Sequence, residues 1–343
     1  MAESDGNSAK RPTIYDLAEI AGTSPSAVSS ILNGTWKKRR ISEKLAERVS
    51  RIAAEQGYAV NLQASLLRRE RSRIIGMIVP KYDNRYFGAI AEQFEIMARA
   101  RGLFPVITCT QRDPDLEFEA ARELISYQAE CLIVTGATDP DRIGEFCAAA
   151  GVRAINLDLP GSNAPSIVSD NFTGARDLTA LILSRMERDF GEIRPLWFIG
   201  GRSKDHNTAE RLRGFRAAHR QIGLSVLPDQ IIMPGYSPHK AIAAMATKTL
   251  ADRSGLFVNS TITLEGVIHW LNEQRHGSGD IRLGCFDWDP FAALLPQNVG
   301  MTEQNVPAML ETTFELVETP PTGNVRIEIP CILREISPAA ITR

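Results

Sequence analysis

From Thr13 onward the apolar positions recur at helical spacing. Leu17, Ile20 and Ala21 fall on one face of a first helix, which Thr13 can cap, with Asp16 in the first turns where the helix dipole favours negative charge. Gly22 stops it in the manner of a C′ glycine. Ser24 then caps a second helix with Pro25 at its first position, where a missing N–H costs nothing. Val28, Ile31 and Leu32 form its stripe, and Asn33-Gly34 ends it. Ser42 caps a third helix, with Leu45, Val49, Ile52 and Ala53 on one face and Gly57 closing it. Each helix is too short to be stable alone, so the three must bury their stripes against one another. The short link Gly22–Ser24 predicts a helix-turn-helix.

At Ile74 the rhythm changes. Apolar runs at Ile74–Val79, Phe104–Cys109, Cys131–Val134 and Arg153–Leu157 read as strands, separated by helical patterns at Tyr86–Arg101, Leu116–Gln128 and Pro140–Ala149. Beyond Asn171 the alternation resumes, with strands near Leu196–Ile199, Gln230–Met233, Gly255–Val258 and Ile281–Phe286. Apolar strands alternating with helices predict parallel sheets covered on both faces. So long a stretch exceeds one ordinary sheet, and two α/β lobes are the natural division. Such folds bind small ligands beside the carboxyl ends of their strands. The expected organisation is a polar, disordered tail (1–11), a helix-turn-helix domain (12–60), a hinge helix and linker (61–73) and a two-lobed domain (74–343).

Charge changes the picture. With 39 basic and 41 acidic residues in 343, the net of −2 argues against a nucleic-acid binder. Residues 1–73, however, hold 13 of the basic and 8 of the acidic residues, a net of +5, which leaves −7 on the rest. Such asymmetry marks a nucleic-acid-binding end. No run approaches the length of a membrane span, and the polar N-terminus lacks the apolar segment of a secretory signal, so a cytoplasmic protein is expected. Five scattered cysteines form no CxxC pair or metal-type cluster and are expected to be reduced, buried small hydrophobes.

The motif TIYDLAEIAGTSPSAVSSILNG (Thr13–Gly34) closely resembles the helix-turn-helix of the lactose-repressor/galactose-repressor family. The resemblance continues through GYAVNLQASLL, IIGMIVP, ERLRGF (Glu210–Phe215), LGCFDWD (Leu283–Asp289) and ILREISP, and so spans nearly the whole chain. NGTWKKRRIS (Asn33–Ser42) is similar to the lengthened loop of fructose and sucrose repressors. The resemblance implies an all-α helix-turn-helix head on a two-lobed core like that of periplasmic binding proteins, built on two parallel sheets flanked by helices. It also implies a homodimeric transcriptional regulator that meets double-stranded operator DNA and a sugar, polyol or sugar-phosphate effector.

Matching the family motif places Pro25, Ser26 and Ser30 at base-reading positions of the second helix, with Ser30 in place of a common arginine, and adds Thr13, Tyr15 and Asn33 to the DNA contacts. Lys37, Lys38, Arg39 and Arg40 would meet phosphates. Asn61, Ala64 and Leu67 match a hinge helix that folds on operator DNA and drives a leucine into a minor-groove step, flanked by Arg68, Arg69, Arg71 and Arg73. In the core, Asp158, Arg211, Tyr236, Ser260 and Asp287 match sugar-contact positions, where charge-assisted hydrogen bonds to hydroxyls are strong. Leu159 stands where the fructose-repressor branch carries a basic residue suited to phosphate, which favours an unphosphorylated sugar or polyol.

An enzyme reading finds no support. No GxGxxG, GxxxxGK[ST] or Gly-x-Ser-x-Gly occurs, and the five histidines show no metal spacing, so neither catalysis nor a cofactor is expected. Asp205 and His206 flank the ERLRGF helix, where they could line the cleft, but a solvent-facing turn is the expectation. Two other readings are a regulator that needs a corepressor or works with either sign, and a sugar-binding protein without a DNA role. The helix-turn-helix speaks against the last.

Overall fold

The computed structural model describes residues 12–58, 72–274 and 279–336, which form two compact units, Met1–Ser72 and Arg73–Arg343. The expected tail and the hinge positions Asn61, Ala64 and Leu67 lie outside the described residues.

The first unit holds α1 (Ile14–Ile20), α2 (Pro25–Leu32) and α3 (Glu43–Glu55). Its capping chemistry is local. The Thr13 hydroxyl accepts from the Asp16 amide at 3.3 Å while the Thr13 amide donates to the Asp16 carboxylate at 2.6 Å. Ser24 and Ser42 cap α2 and α3 in the same way, accepting from the Ala27 and Leu45 amides. Gly22, at φ +59°, makes the sharp turn between α1 and α2 that a β-carbon would strain. Leu17, Val28 and Val49 are wholly buried between the three helices, each contributing about 1.5–3 kcal/mol. Ile20, expected on that face, is 54% exposed. Arg48 of α3 donates to the Ala21 carbonyl at 2.6 Å and holds the end of α1 in place.

The second unit has two six-stranded sheets. The first carries β1 (Ile74–Val79), β2 (Phe104–Cys109), β3 (Cys131–Thr135), β4 (Arg153–Leu157), β5 (Ser166–Ser169) and β11 (Arg326–Ile329) in the order β11-β5-β4-β3-β1-β2, all parallel. Around it lie α4 (Arg85–Ala100), α5 (Pro114–Ser126), α6 (Pro140–Ala149) and α11 (Val306–Glu318). The second sheet carries β6 (Trp197–Ile199), β7 (Ile231–Ile232), β8 (Ser254–Val258), β9 (Ile281–Phe286), β10 (Asn298–Glu303) and β12 (Ile332–Glu335) in the order β12-β10-β9-β8-β6-β7. It is flanked by α7 (Asn171–Phe190), α8 (His206–Gln221), α9 (Pro238–Met245) and α10 (Thr261–Glu273).

The two parallel sheets flanked by helices are those the sequence led one to expect, with one antiparallel strand at an edge. β12 runs antiparallel to β10, because the chain returns from the first lobe to the free edge of the second. β12 is exposed along its whole length, so it carries no apolar run to announce it. Three segments cross between lobes, following β5, β10 and β11.

Two close approaches position the site. Gly284 lets Ile182 and Leu178 of α7 rest on the second sheet, since a β-carbon there would lie 2.8 Å from both side chains. Gly214 lets α8 settle on α7, where a β-carbon would meet the Phe172 carbonyl oxygen at 2.2 Å. The glycine of ERLRGF thus sets the height of the helix that carries Arg211. Cys131, Cys147 and Cys285 are buried as small hydrophobes, and burial pushes the Cys131 thiol up to about 12. Among the described residues no cluster of metal-ligating side chains occurs, and no helix is long and apolar enough to cross a membrane.

Candidate functional site

In the first unit, Pro25 and Ser26 open α2, and Ser26 is exposed. Tyr15, in the first turn of α1, is 71% exposed. Thr13 is committed to its cap, and Asn33 closes α2 by donating to the Ser29 carbonyl at 2.8 Å. Ser30 departs from its assigned place. It is buried, and its hydroxyl turns back to the Ser26 carbonyl at 2.8 Å. Lys37, Lys38, Arg39 and Arg40 are all exposed on a tight turn. Trp36, which packs against the head core, holds that turn: its carbonyl accepts from the Arg39 and Ile41 amides, both at 3.1 Å. Trp36 was not singled out by the sequence, although an aromatic just before a basic run is the available signal.

In the second unit, a cavity of about 200 Å³ lies between the lobes at the carboxyl ends of both sheets. It collects Asp158, Arg211, Tyr236, Ser260 and Asp287 from segments far apart in the chain. Asp158 follows β4 and Asp287 follows β9, and both stand in the left-handed region at φ +74° and +73°. A non-glycine residue there is strained, and two carboxylates so held at matching strand ends point to function.

Arg211 is 3% exposed and forms the centre. Its Nε donates to Asn171 Oδ1 and an Nη to the Asn259 carbonyl, both at 2.7 Å, and the guanidinium lies 3.7 Å from the Phe286 ring centroid. Asn171 donates to Asn207 at 3.1 Å, and Asn207 donates to Asp158 at 3.0 Å, so hydrogen bonds run from one lobe to the other. Tyr86 also donates to Asp158, at 3.1 Å. Asp287 accepts from Gln304 at 2.6 Å, and Gln304 accepts in turn from Ser169 at 2.6 Å, tying the cavity to two crossing segments. No direct Arg211–Asp287 or Arg211–Asp158 ion pair forms among the described residues.

Burial raises both aspartates. Asp158 is pushed up to about 6 by loss of solvent, with Arg112 opposing and Asp205 adding to the rise. Asp287 rises for the same reason, held back by Arg211 and by the Gln304 hydrogen bond. The Tyr236 hydroxyl donates to Asp205 at 2.9 Å and stays protonated, its pKa raised by burial and by that carboxylate. Ser260 caps α10, its hydroxyl accepting from the Thr263 amide at 3.3 Å.

The cavity also takes in residues the sequence did not single out: Asn207, Gln304, Lys81, Arg112 and Arg202. Asn207 stands one helical turn before Arg211 and was legible from that spacing. Asp205, expected to face solvent, lines the cavity as well. Arg112 and Arg202 sit on loops with no periodicity to place them.

Two family models match this chain. "Bacterial regulatory proteins, lacI family" covers residues 13–61, and "Periplasmic binding proteins and sugar binding domain of LacI family" covers 72–254. The chain belongs to the LacI family. Within that family it is 63% identical over 193 residues, 56% of this chain and 72% of the relative, to the ribitol operon repressor of Klebsiella aerogenes. It is 29% identical over 290 residues, 81% of this chain and 83% of the relative, to the sucrose operon repressor of Klebsiella pneumoniae. Its fold matches the lac repressor dimer bound to operator and the anti-inducer ONPF, with a TM-score of 0.77 at 20% identity over 96% of this chain and all of that one. As a LacI-family member the chain is a DNA-binding transcriptional regulator with the family's effector-binding core.

Proposed function

We propose that this LacI-family chain represses polyol-utilisation genes and leaves its operator when a small polyol or sugar, the size of a pentitol, fills the inter-lobe cavity. The observation that carries this is the cavity floor, where a buried guanidinium stands among two strained, buried aspartates with unused acceptor capacity. Such groups bind vicinal hydroxyls by charge-assisted hydrogen bonds. The volume of about 200 Å³ lies below the usual range of roughly 300–1,000 Å³ for larger ligands, which favours a single small unit over a disaccharide. The relative named as a ribitol operon repressor supports the same size class.

The roles follow from position. Arg211, Asp158 and Asp287 hold hydroxyls, and Tyr236 closes one side. Ser260 contributes as a wall whose hydroxyl is already bonded. Pro25, Ser26 and Tyr15 face the major groove, Thr13 and Asn33 shape the ends of α1 and α2, and Lys37–Arg40 meet phosphates. Ser30 fixes the helix instead of reading a base. Asn61, Ala64 and Leu67 supply the hinge. The protein works in the cytoplasm as a homodimer on a two-fold operator, and it catalyses no reaction. Effector and operator are coupled because the ligand favours one lobe arrangement and the operator another.

The test is a melting-temperature screen of the full-length protein against pentitols, pentuloses, hexoses and sucrose, with hits carried to release of its upstream DNA. A pentitol or pentulose that raises melting and releases DNA is expected. A shift with sucrose alone, or with none of these, overturns the assignment.

A further inference from the structure

The helix that carries Arg211 has a second working face. Asn207 and Arg211 of α8 line the inter-lobe cavity, whereas Leu212, Arg213, Arg216 and Arg220 line a separate hollow of about 270 Å³ on the second lobe. The three arginines recur at i, i+3 and i+7 and so form one stripe. Arg213 is met by Glu210 at 2.5 Å, and its guanidinium lies 4.5 Å from the Phe172 ring centroid. Arg216 and Arg220 are exposed, and among the described residues no ion pair or side-chain hydrogen bond engages either. Arg220 stands in the last turn of α8, where the helix dipole favours a cation, but Arg216 stands mid-helix and gains nothing of that kind.

The hollow shares a wall with the inter-lobe cavity. Along the loop after β6, Arg202 and Asp205 line the cavity while Ser203 lines the hollow. Thr208 lines the hollow as well, yet its hydroxyl lies 3.1 Å from the Tyr236 hydroxyl and accepts from the Arg202 amide at 3.2 Å. The loop starts tight against Thr208 at Gly201, φ +81°, where a β-carbon would meet Thr208 Oγ1 at 2.4 Å.

We propose that this hollow is a second ligand site, for a small organic anion with two or more carboxylates, and that filling it stiffens the loop that walls the inter-lobe cavity. Carboxylates suit guanidiniums because two N–H groups meet two oxygens. Arg216 and Arg220 stand four residues apart, about 6 Å along the helix axis, so two carboxylates on one carbon chain can meet one each. Leu212, and Met233 just past β7, offer apolar surface to the chain between them. A compact inorganic anion gains nothing from that surface. Contact with Ser203 and Thr208 passes to Arg202, Asp205 and Tyr236 through the shared loop and hydroxyl pair, which links the two sites. The site lies outside the cavity and does not depend on which sugar or polyol the cavity takes.

The experiment is calorimetric titration of the full-length protein with citrate, succinate and inorganic phosphate at matched ionic strength. Citrate is expected to bind at least about tenfold more tightly than phosphate, with succinate between them. The Arg216→Gln/Arg220→Gln double variant should lose at least about tenfold in citrate affinity. Without ligand it should melt as the wild type does, since both side chains are exposed. Arg216→Lys, which keeps the charge, should retain part of the affinity. Citrate affinity that is unchanged in the double variant, or that falls instead in Arg112→Gln, overturns this site. Phosphate binding as tightly as citrate, or no citrate binding at millimolar concentration, overturns it too. Amide hydrogen exchange reads the link between the sites. Citrate should slow exchange between Arg202 and Thr208 in the wild type and not in the double variant. Binding without that protection overturns the link to the cavity.

Discussion

The two units present their proposed functional side chains in opposite ways. In the head, Tyr15 and the run Lys37–Arg40 stand in solvent on short helices and a turn. In the core, Arg211, Asp158 and Asp287 are 3%, 4% and 8% exposed. The difference follows from the partners. DNA brings its own charge and a large surface to the protein, so exposed cations suffice and their contribution is screened by salt. The proposed effector, a small polyol, offers hydroxyls, and these compete with water unless the protein's charges are already dried and fixed. The head therefore relies on placement, and the core on preorganisation.

Three experiments can break or sharpen this contrast. The largest effect is expected from replacing Lys37, Lys38, Arg39 and Arg40 by glutamine. If each meets one phosphate, the slope of log affinity against log salt falls by up to about 3.6. Fluorescence anisotropy over a salt series measures it, and the melting of the head should barely move because these side chains are exposed. An unchanged slope would remove the loop from the DNA interface.

Next comes Arg211→Ala. It strands the Asn171 and Asn259 acceptors and leaves two buried carboxylates uncompensated. A loss of about 3–5 kcal/mol in core stability is expected from denaturant unfolding, together with loss of effector response. A neutral effect would mean that water already fills the cavity and serves these groups.

The smallest effect is set by pH. Burial raises the Asp158 pKa to about 6, above its ordinary value, so the folded core holds the proton more tightly than the unfolded chain. Its contribution to stability is therefore greatest at low pH and is lost as pH rises through about 6. Compared with Asp158→Asn, the wild-type core should gain roughly 1–2 kcal/mol between about pH 7 and pH 5 in the absence of effector. Effector affinity should move the other way, since protonation removes an acceptor. A flat difference between the two proteins across this range would show Asp158 to be solvated.

Legibility differed between the units for the same reason. Thr13, Ser24, Ser42 and Gly22 act on residues a few positions away, so their roles could be read along the chain. Ser30 shows the limit of that reading: the family motif put it at a base-reading position, but its hydroxyl found a nearer partner in the Ser26 carbonyl. In the core, Asn207 was within reach of helical spacing from Arg211. Gln304 was not, because it meets Asp287 only through a strand end and a lobe crossing.

The sequence by itself determined the helix-turn-helix, the alternation of strands and helices, the charge split near residue 73 and the family. The first three rest on local periodicity, caps and composition, which short segments carry alone, and the family rests on the resemblance of whole motifs. Only the tertiary structure decided that β12 returns antiparallel, that Asp158 and Asp287 stand strained in one cavity with a buried arginine, and that Arg112 and Arg202 line the same cavity. Those facts depend on where distant strand ends and loops meet, and no repeat along the chain encodes that meeting.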